Sequence, residues 1–223
     1  MNDIKNNIEV LQSQIHDLAK ECDRAQDSIC LMAVSKKQPI ERIQAALDGG
    51  HRLFGENRVQ EAQERWGGLR DQYDDLELHL IGPLQTNKIK DAVALFDVIE
   101  TLDREKLAQK LAAEMMNQDR DLPCLIQVNT GAESQKSGIL PEYVTEFFDF
   151  CRYDCGLDVR GLMCIPPLED PPALHFAMLK KLADENNLKE LSMGMSGDYT
   201  LALNHGSTMV RIGSSIFGAR NYN

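Results

Sequence analysis

Ile4, Ile8, Leu11, Ile15 and Leu18 recur at alternating steps of four and three, the spacing that gathers apolar side chains on one face of an α-helix. The chain therefore opens with one long amphipathic helix, expected over residues 1–26. After Asp27-Ser28 the pattern changes, and short apolar runs alternate with helical stretches. The runs ICLMAVS, RLFGEN, LELHLIGP, DVIETL, CLIQVN, VRGLMCI, ELSMGMS and MVRIGSS are eight candidate strands. Between them, PIERIQAALDGG, REKLAQKLAAEMMNQ, PEYVTEFFDFCRY and ALHFAMLKKLADENN carry helical periodicity, with Pro39, Pro141 and Gly49-Gly50 at helix ends. Strict alternation implies a parallel sheet, and eight such units in 223 residues are what a closed barrel requires. An open doubly wound sheet is the rival. It is disfavoured because no turn after a strand carries G-x-G-x-x-G or G-x-x-x-x-G-K-[ST]. The expected fold is α/β: a single (β/α)8 TIM barrel over residues 1–223 with an extra N-terminal helix.

A barrel of this kind builds its site from the C-terminal ends of its strands. Those ends read Ser35-Lys36-Lys37, Glu56-Asn57, Gly82-Pro83, Asn129, Ser196-Gly197 and Gly213-Ser214-Ser215. Glycine and small hydroxyl residues after strands seven and eight suit a phosphate group, because backbone amides approach it closely where a helix begins. The competing reading is tight turns and capped helices. A lysine at a strand end can be desolvated into a neutral amine that attacks a carbonyl. Alternation along a strand would turn Lys36 and Lys37 opposite ways, so one of them at most enters the site. Arg211 shares a face with Gly213, and an inward arginine either meets a ligand or pairs with an inward carboxylate. His79, inside an apolar strand, reads as a buried partner of other groups rather than a catalytic base, while His51 and His205 precede strands at the opposite end of the barrel.

Acidic residues outnumber basic ones 35 to 24, for a net charge of -11, which argues against nucleic acid and anionic membrane as partners. No apolar run nears the roughly 20 residues of a membrane span, and the N-terminus lacks the layout of a signal peptide, so a cytoplasmic protein is expected. The six cysteines are scattered and read as reduced, mostly core residues, with no spacing that makes a metal site. An acidic surface with one N-terminal helix is compatible with a monomer.

The stretches LMAVSKKQP, FGENRVQEA, LHLIGPLQTNK, LIQVNTGAESQKSG, LSMGMSGDY and GSTMVRIGSSIFGAR span residues 31–220. Together they resemble the YggS-like pyridoxal phosphate homeostasis proteins, which share the fold of the alanine racemase N-terminal barrel. The resemblance implies that Lys36 carries pyridoxal 5′-phosphate as an internal aldimine. It also implies that Asn57 lies beside the cofactor, that Ser196, Gly213 and Ser214 hold its phosphate, and that Arg211 faces the pyridine nitrogen. An arginine there disfavours ring protonation and weakens the ring as an electron sink. The second, mostly β domain that gives alanine racemase its acid–base tyrosine is not expected, since the chain ends three residues after FGAR. The implied role is therefore to hold and deliver the cofactor in vitamin B6 and amino-acid homeostasis, with apoenzymes that use it as partners, and without established catalysis. The alternatives are an amino-acid racemase of low activity and a cofactor-free Schiff-base aldolase of a phosphorylated sugar. Lys37, the SGDYT segment with Gly197, and Ser214 depart from the family pattern and bear on affinity.

Overall fold

The computed structural model describes residues 2–218; Ala219 and Arg220 of the FGAR stretch lie outside the described residues. Helix α1 (Asn2–Glu21) precedes eight strand–helix units. These are β1 (Cys30–Val34) and α2 (Ile40–Asp48), β2 (Leu53–Glu56) and α3 (Val59–Trp66), β3 (Glu77–Leu80) and α4 (Ile89–Leu95), and β4 (Val98–Leu102) and α5 (Glu105–Gln118). There follow β5 (Cys124–Val128) and α6 (Val144–Asp149), β6 (Val159–Cys164) and α7 (Pro172–Glu185), β7 (Glu190–Ser192) and α8 (Tyr199–Asn204), and β8 (Met209–Ile212) and α9 (Ser214–Phe217). The strands pair in chain order, each parallel to the next, and β8 closes on β1 with Met32 opposite Arg211. The closed barrel expected from the alternation is what forms, and the open sheet is excluded.

Along each strand, outward residues such as Leu31 and Ala33 join the large core between sheet and helices. Inward residues form two smaller clusters, one of Met32, Val34, Ile81 and Met209 and one of Val98, Leu125 and Met163. The inward positions His79, Glu100, Ser192 and Arg211 are buried too, but polar.

Three boundaries differ from expectation. Helix α1 stops at Glu21 instead of running to residue 26, because Asp23 turns left-handed (φ 54°) and the Arg24 amide bonds back to the Ala19 carbonyl. Its buried stripe ends on Ala19, with Leu18 only partly covered. Strand β7 spans three residues, since Gly194 (φ 95°) bends the chain away before Met195 and Ser196. The PEYVTEFFDFCRY stretch passes from a 3-10 turn through α6 into a widened π turn over Phe150–Asp154. Of the six unpaired cysteines, Cys124, Cys151 and Cys164 are core residues, whereas Cys30 is exposed at the start of β1.

Helix α1 packs on α2, α8 and α9, the last two of which follow the serine-glycine loops. Asn7 Nδ2 donates to the Ile216 carbonyl at 2.9 Å, Tyr199 Oη donates to Gln14 Oε1 at 3.0 Å, and Arg42 of α2 donates to the Phe217 carbonyl. The extra helix thus braces the wall of the mouth nearest β7 and β8.

Candidate active site: a cavity at the barrel mouth

A cavity of about 220 Å³ opens at the C-terminal ends of the strands, and Lys36, Asn57, Ser196, Arg211, Gly213 and Ser214 all line it. Val34, Ile81, Ile165 and Met195 supply apolar walls that the list of polar strand ends missed. Ile81 sits two residues beyond inward His79, so the period-2 rule applied past the strand's end would have found it. Gly197 also lines the cavity, and Lys37 does not.

Strand alternation is not what separates the two lysines. β1 ends at Val34, and Ser35 to Gln38 form a turn closed by the Gln38 amide on the Ser35 carbonyl at 3.0 Å. Lys37 is its third residue, left-handed at φ 59° and exposed, while Lys36 is half-buried and turned to the cavity.

The turn is pinned from beneath by Glu56, which sequence reading passed over. Fully buried, Glu56 accepts from Ser35 Oγ at 2.7 Å and Trp66 Nε1 at 3.1 Å through one oxygen, and from Arg65 Nη1 at 2.8 Å through the other. Burial pushes its carboxyl above the usual range, and Arg65, Ser35 and Trp66 pull it back. This clamp ties Ser35, next to Lys36, to the residue before Asn57. A Cβ on Gly82 would lie 2.1 Å from the Asn57 carbonyl oxygen, so only glycine lets the loop after β3 close on Asn57. Asn57 Oδ1 is buried without a hydrogen-bond partner among the described residues.

The opposite wall is differently made. Gly194 is required by its positive φ and by Ala202, whose Cβ would be 2.6 Å from an added methyl. Gly213 is not required: its φ is -115°, and a Cβ would meet only Val34 at 3.5 Å or more. Neither α8 nor α9 has a side-chain cap bond at its start, which removes the helix-capping reading of Ser196 and Ser214. Asp198 instead closes its loop by accepting from the Met195 amide at 2.6 Å. The hydroxyls and the first amides of α9 stand at the cavity as donors suited to an anion.

Arg211 is 4% exposed. Its Nη1 donates to Ser192 Oγ at 2.7 Å and its Nη2 to the Cys164 carbonyl at 2.8 Å; it lines the cavity and forms no ion pair among the described residues. His79, as expected, is a buried partner of other groups: burial would lower its pKa, but hydrogen bonds and charge from Glu100 and Glu77 lift it to about 9. A second cavity of about 270 Å³ shares Asn57, Ile81 and Ile165 with the first and adds Gln127 and Lys136, the latter paired with Glu133 at 2.5 Å. A larger, more open hollow of about 560 Å³ lies outside the barrel around Arg24, Lys180 and His205, away from the strand ends where these polar groups converge.

Residues 2–221 match the model of the alanine racemase N-terminal domain. Over 232 residues the chain is 41% identical to the pyridoxal phosphate homeostasis protein of Vibrio alginolyticus, covering 100% of both chains. The chain belongs to the pyridoxal phosphate homeostasis protein family. Another member, from Escherichia coli K12, is 38% identical over 231 residues, covering 100% of this chain and 99% of its own. Among solved structures, PipY of Synechococcus elongatus with pyridoxal phosphate bound superposes with a TM-score of 0.81 at 33% identity, over 96% of this chain and 100% of that one. This family member thus carries the family barrel over nearly its whole length. No helix among the described residues is long and apolar enough to cross a membrane.

Proposed function

We propose that this chain binds pyridoxal 5′-phosphate in the mouth cavity, holds it covalently through the Lys36 amine, and serves as a cytoplasmic store and carrier that supplies cofactor-dependent apoenzymes. We read residues 1–223 as one domain acting as a monomer. The observation that carries this reading is the convergence of one lysine, one arginine and the Ser196, Gly213 and Ser214 donors on one 220 Å³ cavity. The pyridoxal phosphate homeostasis proteins among its relatives, and PipY with the cofactor bound, support it.

The residues present fit the group. The missing Cβ of Gly213 leaves room for an anion beside the Ser196 and Ser214 hydroxyls, and the orphaned Asn57 Oδ1 offers an acceptor to a ligand donor. The cofactor supplies an aldehyde that a primary amine attacks with loss of water, and a ring that withdraws electrons when its nitrogen is protonated. Lys36 provides that amine from a turn held by the Glu56 clamp. Arg211 is a permanent cation with donors and no acceptor, so beside the ring nitrogen it opposes protonation there. That disfavours carbanion chemistry and favours storage over catalysis.

The visible absorbance of the purified protein, with and without borohydride, tests this. A yellow band bleached by borohydride in wild type and Lys37→Ala, and absent from Lys36→Ala, is the expected result. A wild type that stays colourless after incubation with pyridoxal phosphate would overturn the reading. Steady interconversion of a D- and an L-amino acid, lost in Lys36→Ala, would replace the carrier with a racemase.

A further inference from the structure

Arg211 is the last member of a chain of hydrogen bonds that runs through the barrel interior from half-exposed Glu77. Its Nη1 donates to Ser192 Oγ at 2.7 Å, and Ser192 Oγ meets Glu100 Oε2 at 2.5 Å. His79 joins Glu100 Oε1 through Nδ1 at 2.6 Å and Glu77 Oε1 through Nε2 at 2.8 Å. The four linked strands, β3, β4, β7 and β8, are brought around one interior by closure of the barrel.

Donor and acceptor capacity fixes the direction of the bonds at Ser192, and the charge on His79 fixes the rest. A guanidinium has no acceptor, so Ser192 must accept from Arg211, and its single hydroxyl proton goes to Glu100. His79, whose pKa Glu100 and Glu77 lift to about 9, is protonated at neutral pH and donates from Nδ1 to Glu100 Oε1. Glu77 is a half-exposed carboxylate, so Nε2 donates as well. A histidine that donates from both nitrogens is an imidazolium. Charge therefore alternates along the line, negative at Glu77, positive at His79, negative at Glu100 and positive at Arg211, and it cancels.

We infer that Glu100 and His79 are positioning residues for Arg211: they hold the Ser192 hydroxyl as an acceptor toward the guanidinium and so keep it in one orientation at the cavity floor. With a neutral group in place of the carboxylate the Ser192 hydroxyl loses its charged acceptor, and the guanidinium loses a partner held in one polarity. Two further charged groups interact with the same cluster, Glu190 of β7 and Arg160 of β6, and Cys30 of β1 lies close to Glu77 and Glu190. The effect on a bound ring rests on the proposed function; the orientation of Arg211 does not.

The test is nitrogen NMR of the full chain without cofactor, labelled at arginine and histidine. In wild type, Arg211 is expected to show separate Nη signals from slow guanidinium rotation, and His79 two N–H signals. Glu100→Gln and His79→Gln are expected to merge the Arg211 signals. Ser192→Ala is expected to do the same without removing a buried charge, which covers a Glu100 variant that fails to fold, while Ser192→Thr, which keeps the hydroxyl, retains the separate signals. Arg211 signals unchanged in Glu100→Gln or in Ser192→Ala would overturn the inference. With pyridoxal phosphate added, Glu100→Gln is expected to bind roughly tenfold more weakly, the scale of one charge-assisted hydrogen bond, and to show a displaced pH profile of the visible band. If wild type takes up no pyridoxal phosphate, the functional reading fails while the Arg211 signals still decide the positioning.

Discussion

The two walls of the mouth are built on opposite principles. On the β1–β2 side, Glu56 has its donors from Ser35, Trp66 and Arg65 and locks the turn that bears Lys36. On the β7–β8 side, the helices begin without side-chain caps, Gly213 leaves space, and Ser214 is exposed. The difference is one of where hydrogen-bonding capacity goes. The first wall spends it inside the protein to hold one amine in place, and the second keeps it for a ligand. Variants of the clamp residues in the first wall should therefore disturb the fold, and variants of the ligand-facing Ser196, Gly213 and Ser214 in the second should disturb binding alone.

The largest effect is expected at the residue the first wall serves. Lys36→Ala should abolish borohydride-stable attachment of pyridoxal phosphate, read as loss of added mass on the intact protein, with thermal stability close to wild type. Glu56→Ala should come next, destabilising the fold by about 2–4 kcal/mol in urea unfolding, because it strips the buried Ser35 hydroxyl and Trp66 N–H of their acceptor and leaves the half-buried Arg65 with Glu61 alone. A loss below about 1 kcal/mol would show that the clamp is not what holds this wall. On the second wall, Gly194→Ala should cost stability of order 1–3 kcal/mol through its left-handed φ and the Ala202 contact. Gly213→Ala should leave stability within about 0.5 kcal/mol of wild type while weakening pyridoxal phosphate binding. Equal losses of stability at both glycines would show that Gly213 is as much a part of the fold as Gly194, and not space kept for a ligand.

A smaller effect is expected from pH. His79 has a raised folded pKa, so its contribution to stability is fully present below its unfolded value of 6.5 and is lost as pH rises through about 9. Thermal melting of wild type against His79→Gln should show a gap that narrows between those limits; a gap that widens with pH would reverse the sign assigned to His79. The smallest effect is expected for Ser214→Thr, which keeps the hydroxyl and should leave affinity unchanged within roughly twofold, a few tenths of a kcal/mol.

Much of this was legible in the residues themselves. Apolar runs bounded by polar and turn residues mark all eight strands, and the alternation with helices specifies a parallel barrel because such strands need a helix to return the chain. Knowing the barrel, one can read Lys36, Asn57, Ser196, Arg211, Gly213 and Ser214 as residues at strand ends that meet at one mouth. Their partners were a different matter. Nothing near Arg211 in the chain names Ser192, nothing near Ser192 names Glu100, and Ser35 is 21 residues from Glu56. Local pattern determines which face of a strand a side chain takes, because that depends only on the period of the backbone. Which buried polar groups satisfy one another depends on strand register and barrel closure, and those are decided only when distant strands are brought side by side.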